Sequence, residues 1–100
     1  MALNAKQRKY LKALAHYLKP VIQVGNAGVT AAVVKETTQA LDAHELLKIR
    51  LPGIDRDARH TLLGEICEAA RAEAVQEIGR MAVIYRRAKK PRLVLPADKN

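Results

Sequence analysis

A chain of 100 residues, 49% hydrophobic and 28% charged, has room for one domain with one modest core and is too apolar to remain disordered. No run of about 18 apolar residues occurs, which excludes a membrane-spanning helix, and the start Met1-Ala2-Leu3-Asn4-Ala5-Lys6 lacks the apolar core of a signal peptide. The single cysteine, Cys67, cannot form an internal disulfide and suits a reducing compartment, so a cytoplasmic location is expected.

The spacing predicts a helix over residues 4–18, capped by Asn4, with Leu11, Leu14, Ala15 and Leu18 on one buried face. Arg8, Lys9, Lys12 and Lys19 fall mostly off that face, and Lys19-Pro20 ends the helix because the residue before proline disfavours helical torsions. Val21-Ile22-Gln23-Val24 reads as a buried strand. After Gly25-Asn26-Ala27-Gly28, Thr30 caps a second helix over about 31–43, with Val33, Val34, Thr37, Ala40 and Leu41 facing inward. Glu45 to Leu51 reads as a strand in which Leu47, Ile49 and Leu51 alternate with Lys48 and Arg50, one face buried and the other basic. Pro52-Gly53 is a turn, and Asp55 or Asp57 caps a third helix, about 58–72, with a stripe of Leu62, Leu63, Ile66, Cys67 and Ala70. Residues 74–78 and 81–86 form two strands around Gly79-Arg80, a hairpin in which glycine supplies the positive φ. Residues 87–100 mix cations, two prolines and a short apolar patch, and are expected to be a loosely held basic tail beyond a domain of residues 1–86. The order α-β-α-β-α-β-β predicts an α/β domain with a small sheet covered by helices, its first two strands parallel because a helix joins them.

The net charge of +8 is segregated. Residues 1–35 carry six cations and no acid, residues 36–79 are net −4, and residues 80–100 are net +6. Two acid-poor ends fit a polyanionic partner better than a surface that merely aids solubility. The strand–Gly-x-x-Gly–helix unit sharpens this. Glycines without a Cβ let a foreign backbone come close, and the free N–H groups at the start of the next helix attract phosphate. A lone Gly-x-x-Gly is a common strand-to-helix turn, but here it lies one short strand after an acid-free cationic helix. KH domains clamp a nucleic-acid backbone with such a loop. With no Trp or Phe and only Tyr10, Tyr17 and Tyr85, the chain makes a poor stacking platform. Backbone and shape recognition is therefore expected, with each tyrosine packed or partly exposed and Tyr10 the one considered for stacking on a base.

Enzymatic chemistry finds no constellation. His16, His44 and His60 share no ligand spacing with Cys67, so no metal site is expected, and Cys67 reads as a core residue. Asp55 and Asp57 look like helix caps, the glycine loop lacks the Lys-Ser/Thr ending of a nucleotide-binding loop, and serine is absent altogether. No cofactor, small-molecule substrate or membrane partner is expected.

Several stretches taken together resemble the YhbY-type bacterial stand-alone CRM domain (chloroplast RNA splicing and ribosome maturation). They are Lys6-Gln7-Arg8-Lys9-Tyr10-Leu11, Ala15-His16-Tyr17-Leu18-Lys19-Pro20, Gln23 to Thr30, His44 to Arg50, and Val75 to Arg86. The resemblance covers most of residues 5–86. It implies a four-stranded mixed sheet covered by three helices, KH-like and similar to the C-terminal domain of translation initiation factor three. It also implies RNA as the partner, ribosomal RNA within precursors of the large ribosomal subunit, and a role in ribosome assembly. The family's loop maps onto Gly25, Asn26, Ala27 and Gly28, and its basic surface onto Lys6, Arg8, Lys9, Lys12 and Lys19. Asn26 and Ala27 stand where many members have a cation, so attraction here rests on the backbone N–H groups and the flanking helix. Thr30, Lys48, Arg50, Arg80 and Arg86 complete the expected RNA-contacting set, on a protein expected to be monomeric. The alternatives are sequence-neutral DNA binding by the same face and a protein–protein adaptor whose acidic middle segment contacts ribosomal proteins.

Overall fold

The structure, a computed structural model, describes residues 3–96. Helix α1 (Ala5–Ala15) starts from a reciprocal cap: the Asn4 side chain accepts from the Gln7 N–H at 2.8 Å, and the Gln7 side chain accepts from the Asn4 N–H. It ends three residues short of the expected boundary. The Tyr17 and Leu18 N–H groups reach back only three residues, to the carbonyls of Leu14 and Ala15, so the last turn tightens before Pro20 closes it. Leu18, expected on the buried face, therefore leaves the helix axis and is exposed.

Strand β1 (Pro20–Gln23) leads through the glycine turn into α2 (Ala31–His44), whose first turn is capped by the Thr30 hydroxyl accepting from the Val33 N–H at 3.1 Å. Strand β2 (Leu46–Arg50) follows, and then α3 (Arg56–Ala70), capped by Asp55. The hairpin of β3 (Glu73–Ile78) and β4 (Met81–Tyr85) turns at Gly79, φ +55°. The sheet order is β1-β2-β4-β3. β1 and β2 are parallel, and the other pairs are antiparallel.

The two faces of the sheet carry separate cores. On one, Ile22, Val24, Leu47, Ile49, Leu51, Ala82 and Ile84 meet Leu41 of α2 and the whole apolar stripe of α3. Cys67 belongs to this core, and burial pushes its thiol up to about 11, so it stays protonated at neutral pH. On the other face, Leu46, Val75, Val83 and Tyr85 pack under Leu3, Leu11 and Ala15, with α1 as the one covering helix. β2 is therefore not split cleanly into an apolar and a basic side. Leu46 shares the α1 face with Lys48 and Arg50, and α1 buries only the Leu46 end.

The tail departs most from expectation. Up to Pro96 it is bound to the domain. Leu93 and Leu95 pack against the α1 core, and the Gln7 amide donates to the Pro96 carbonyl at 3.1 Å. The anchor is Glu45, fully buried at positive φ (65°) between α2 and β2. Its carboxylate accepts from the Ala88 N–H at 3.0 Å and from the N–H groups of Arg92 and Leu93. Burial by itself would raise the Glu45 pKa, but these three donors and the Arg92 charge outweigh it and hold the carboxyl below its ordinary value. Residues 97–100 of the expected tail lie outside the described residues.

Candidate nucleic-acid interface

The glycine loop is a closed, exposed turn. The Gly28 N–H donates to the Gly25 carbonyl at 3.0 Å, and the Thr30 N–H donates to the Gly28 carbonyl at 3.1 Å. Gly25, Asn26 and Ala27 are open to solvent. The two glycines serve different ends. Gly28 sits at φ +76°, and a Cβ there would stand 3.6 Å from Leu62 Cδ1. At Gly25 a Cβ would meet nothing within 4 Å, so the space it leaves is free for something from outside the chain.

Two sides of the loop differ in charge. Toward α3, Asn26 and Gly28 border a shallow concavity that contains Asp57 and Glu65. A neighbouring concavity contains Glu65 and Glu68. A phosphate chain is repelled from that side. On the other side, Gln23 pairs in register with Arg50 just before the turn, and Arg50 and Lys48 point to the α1 face two residues apart, about 7 Å along the strand.

Helix α1 continues this surface. Lys12 and His16, one turn apart, line a concavity with Lys48, Gln76, Ile78 and Met81. Ile78 is 64% exposed there, because α1 does not reach this end of the sheet. Lys48 and Arg50 thus connect two features: Lys48 shares a concavity with Lys12 of α1, and Arg50 is in register with Gln23, two residues before the glycine turn. Lys6 and Lys9 are exposed on the outer side of α1, and Lys19 precedes the edge strand β1.

Other expected contacts serve the fold. The Thr30 hydroxyl is occupied by its helix cap. The Arg8 guanidinium donates to the Ala74 carbonyl and ties α1 to β3. Arg80 Nε donates to the Leu51 carbonyl at 3.1 Å, with the guanidinium lying against Gly53. Arg86, an expected RNA contact, is instead half-buried and tied to the fold. Its guanidinium donates to the carbonyls of Ala70 at 2.9 Å and Thr38 at 3.2 Å and pairs with Asp42, joining the ends of α2 and α3 to β4. Among the three tyrosines, Tyr85 is buried and Tyr10 half-buried as expected, while Tyr17 is 86% exposed. Periodicity hid Tyr17, because it counts as part of a helix that in fact stops before it. Glu45 carried a weak signal, an acid set directly before an apolar strand run. Among the described residues, no group of three or more His, Cys, Asp or Glu is arranged to hold a metal ion.

A four-stranded mixed sheet with two helices on one face and one on the other, and a glycine-flanked turn between the first strand and second helix, defines a small class of α/β domains. The chain belongs to the CRS1/YhbY (CRM) domain family, whose profile matches residues 3–86. It is 45% identical over 91 residues to a Pseudomonas aeruginosa protein named a probable RNA-binding protein, covering 91% of this chain and 88% of that one. It is 38% identical to a Haemophilus influenzae RNA-binding protein over 94% of this chain and 95% of the other. The solution structure of a Staphylococcus aureus hypothetical protein, described as a candidate RNA-binding protein, superposes with a TM-score of 0.83. That similarity is at 36% identity and covers 95% of this chain and 100% of the other.

Proposed function

We propose that the protein binds structured RNA by its phosphate backbone, as an assembly factor on ribosomal RNA in precursors of the large ribosomal subunit. The observations that carry this reading are the turn open at Gly25, which follows a strand whose last residue, Gln23, is in register with Arg50, and the concavity that joins Lys48 of that neighbouring strand to Lys12 of α1, while carboxylates border the loop toward α3. The names of the relatives support RNA over DNA as the polyanion.

Backbone recognition by several cations releases counterions. Affinity for folded ribosomal RNA should therefore fall steeply with salt, with a logarithmic slope of about 0.7–0.9 per phosphate contacted. A flat response defeats the reading. The loop is tested by Gly25→Asp, since that position has free space and no positive φ. RNA affinity should fall at least several-fold while thermal unfolding is unchanged. Gly28→Asp is a poorer probe, because it adds left-handed strain of about 1 kcal/mol to any effect on binding. Excess duplex DNA should compete weakly, and partners retained after nuclease treatment would favour a protein–protein adaptor instead.

A further inference from the structure

We propose that the cleft between the end of α1 and the edge strand β1 receives one unpaired nucleobase of the bound RNA, stacked on Tyr17. The inference rests on the RNA-binding reading above and names the RNA feature that this face selects. The cleft has a volume of about 450 Å³, within the ~300–1,000 Å³ range of small-molecule pockets. Leu14, Leu46 and Leu93 are among its apolar lining residues, and Leu93 is held in place by the Glu45 carboxylate.

Tyr17 stands at the mouth, 86% exposed, with Val21 of the edge strand 54% exposed beside it. Large apolar side chains left in water next to a preformed concavity mark a binding surface more often than chance. The His16 ring meets Tyr17 at 85° with centroids 5.4 Å apart, which engages at most one face of the phenol and leaves the other to solvent.

The charge around the cleft selects the occupant. Lys19 and Lys48 stand on its rim, and no Asp or Glu is among the described residues that line it. A second copy of this chain would bring another +8 onto the same cations, and an apolar helix would leave them unanswered. A nucleotide satisfies both parts, with its base against the apolar wall and its phosphate on the ammonium groups. Lys48 also lines the basic concavity that holds Lys12 and His16. A backbone tracked across that concavity therefore passes the cleft, and a base freed from pairing there can turn into it. A paired base cannot, because both its faces are already stacked in the helix.

The test compares two hairpin RNAs, one fully paired and one with a single bulged 2-aminopurine. The wild-type protein should bind the bulged hairpin about tenfold more tightly, the size expected for stacking one base on an aromatic ring, and should quench the 2-aminopurine fluorescence. Tyr17→Ala should abolish both the preference and the quenching while leaving the salt slope unchanged. Tyr17→Phe should retain them, because the ring face and not the hydroxyl does the stacking. Equal affinity for the two hairpins with a steep salt slope overturns the base cleft while leaving backbone binding intact. Loss in Tyr17→Phe as large as in Tyr17→Ala overturns stacking. A dimer in sedimentation that Tyr17→Ala dissolves assigns the cleft to a second copy and overturns the proposal. Absence of any salt-sensitive RNA binding overturns both readings together.

Discussion

The two faces of the sheet are built from alternate residues of the same strands, yet they do different work. Leu47 and Ile49 of β2 point into a core closed by two helices, while Leu46, Lys48 and Arg50 point to a face that one short helix covers only in part. The sealed face holds the larger cluster of buried apolar residues. The open face gives up burial and keeps cations, Ile78, Val21 and Tyr17 in water. A domain of this size has a small net stability, so keeping the proposed RNA-binding side apart from the two-helix core lets surface residues change without endangering the fold.

The strongest way to break this comparison is to cut into the sealed face. Ile49→Ala should cost about 2–5 kcal/mol in urea unfolding and leave RNA affinity of the folded protein unchanged. A loss under about 1 kcal/mol would show that the two-helix core is not the main support.

Next is the buried anchor of the tail. Glu45→Gln removes a carboxylate that accepts three backbone N–H bonds, and should destabilise the protein by about 2 kcal/mol at neutral pH. The folded-state pKa of Glu45 is depressed, so its contribution is complete above the unfolded value of about 4.3 and fades as pH falls from there through the lower folded value. Wild type and Glu45→Gln should accordingly converge in stability as acid is added, with unfolding measured at each pH. A constant gap across that window would mean that the ionised carboxylate is not what holds the tail.

Arg86→Ala should cost about 1–2 kcal/mol by releasing the clasp on Ala70, Thr38 and Asp42, with RNA affinity and salt slope unaltered. A clear fall in affinity without loss of stability would return Arg86 to the RNA surface. The mildest perturbation is Lys48→Ala on the open face. Stability should stay within about 0.5 kcal/mol of wild type, while the salt slope of RNA binding drops by about 0.7–0.9, one phosphate contact. An unchanged slope would separate Lys48 from the interface.

The secondary structure was largely legible because its determinants are local. Asn4, Thr30 and Asp55 cap their helices through residues three positions on, and Gly79 turns the hairpin by its own torsion. The glycine loop was legible for the same reason. Leu18 was misplaced because its spacing continued the helical stripe, whereas the backbone tightened ahead of Pro20. The basic residues could be found by composition but not sorted. Arg86 and Lys48 look alike in the chain, and only their neighbours make one a clasp and the other part of a surface. The tail's local sequence reads as loose because its binding partner, Glu45, lies more than 40 residues away.

Local sequence suffices for the order of elements, the caps, the glycine bend and the excess of positive charge at both ends, since each depends on a few adjacent residues. Long-range packing sets which face of the sheet stays open, which cations reach it, that Glu45 binds the tail, and that Tyr17 lines an apolar cleft. These outcomes depend on contacts between distant segments, where the nearest partner available in the folded chain, and not residue type or spacing, sets whether a side chain is buried, paired or left to meet another molecule.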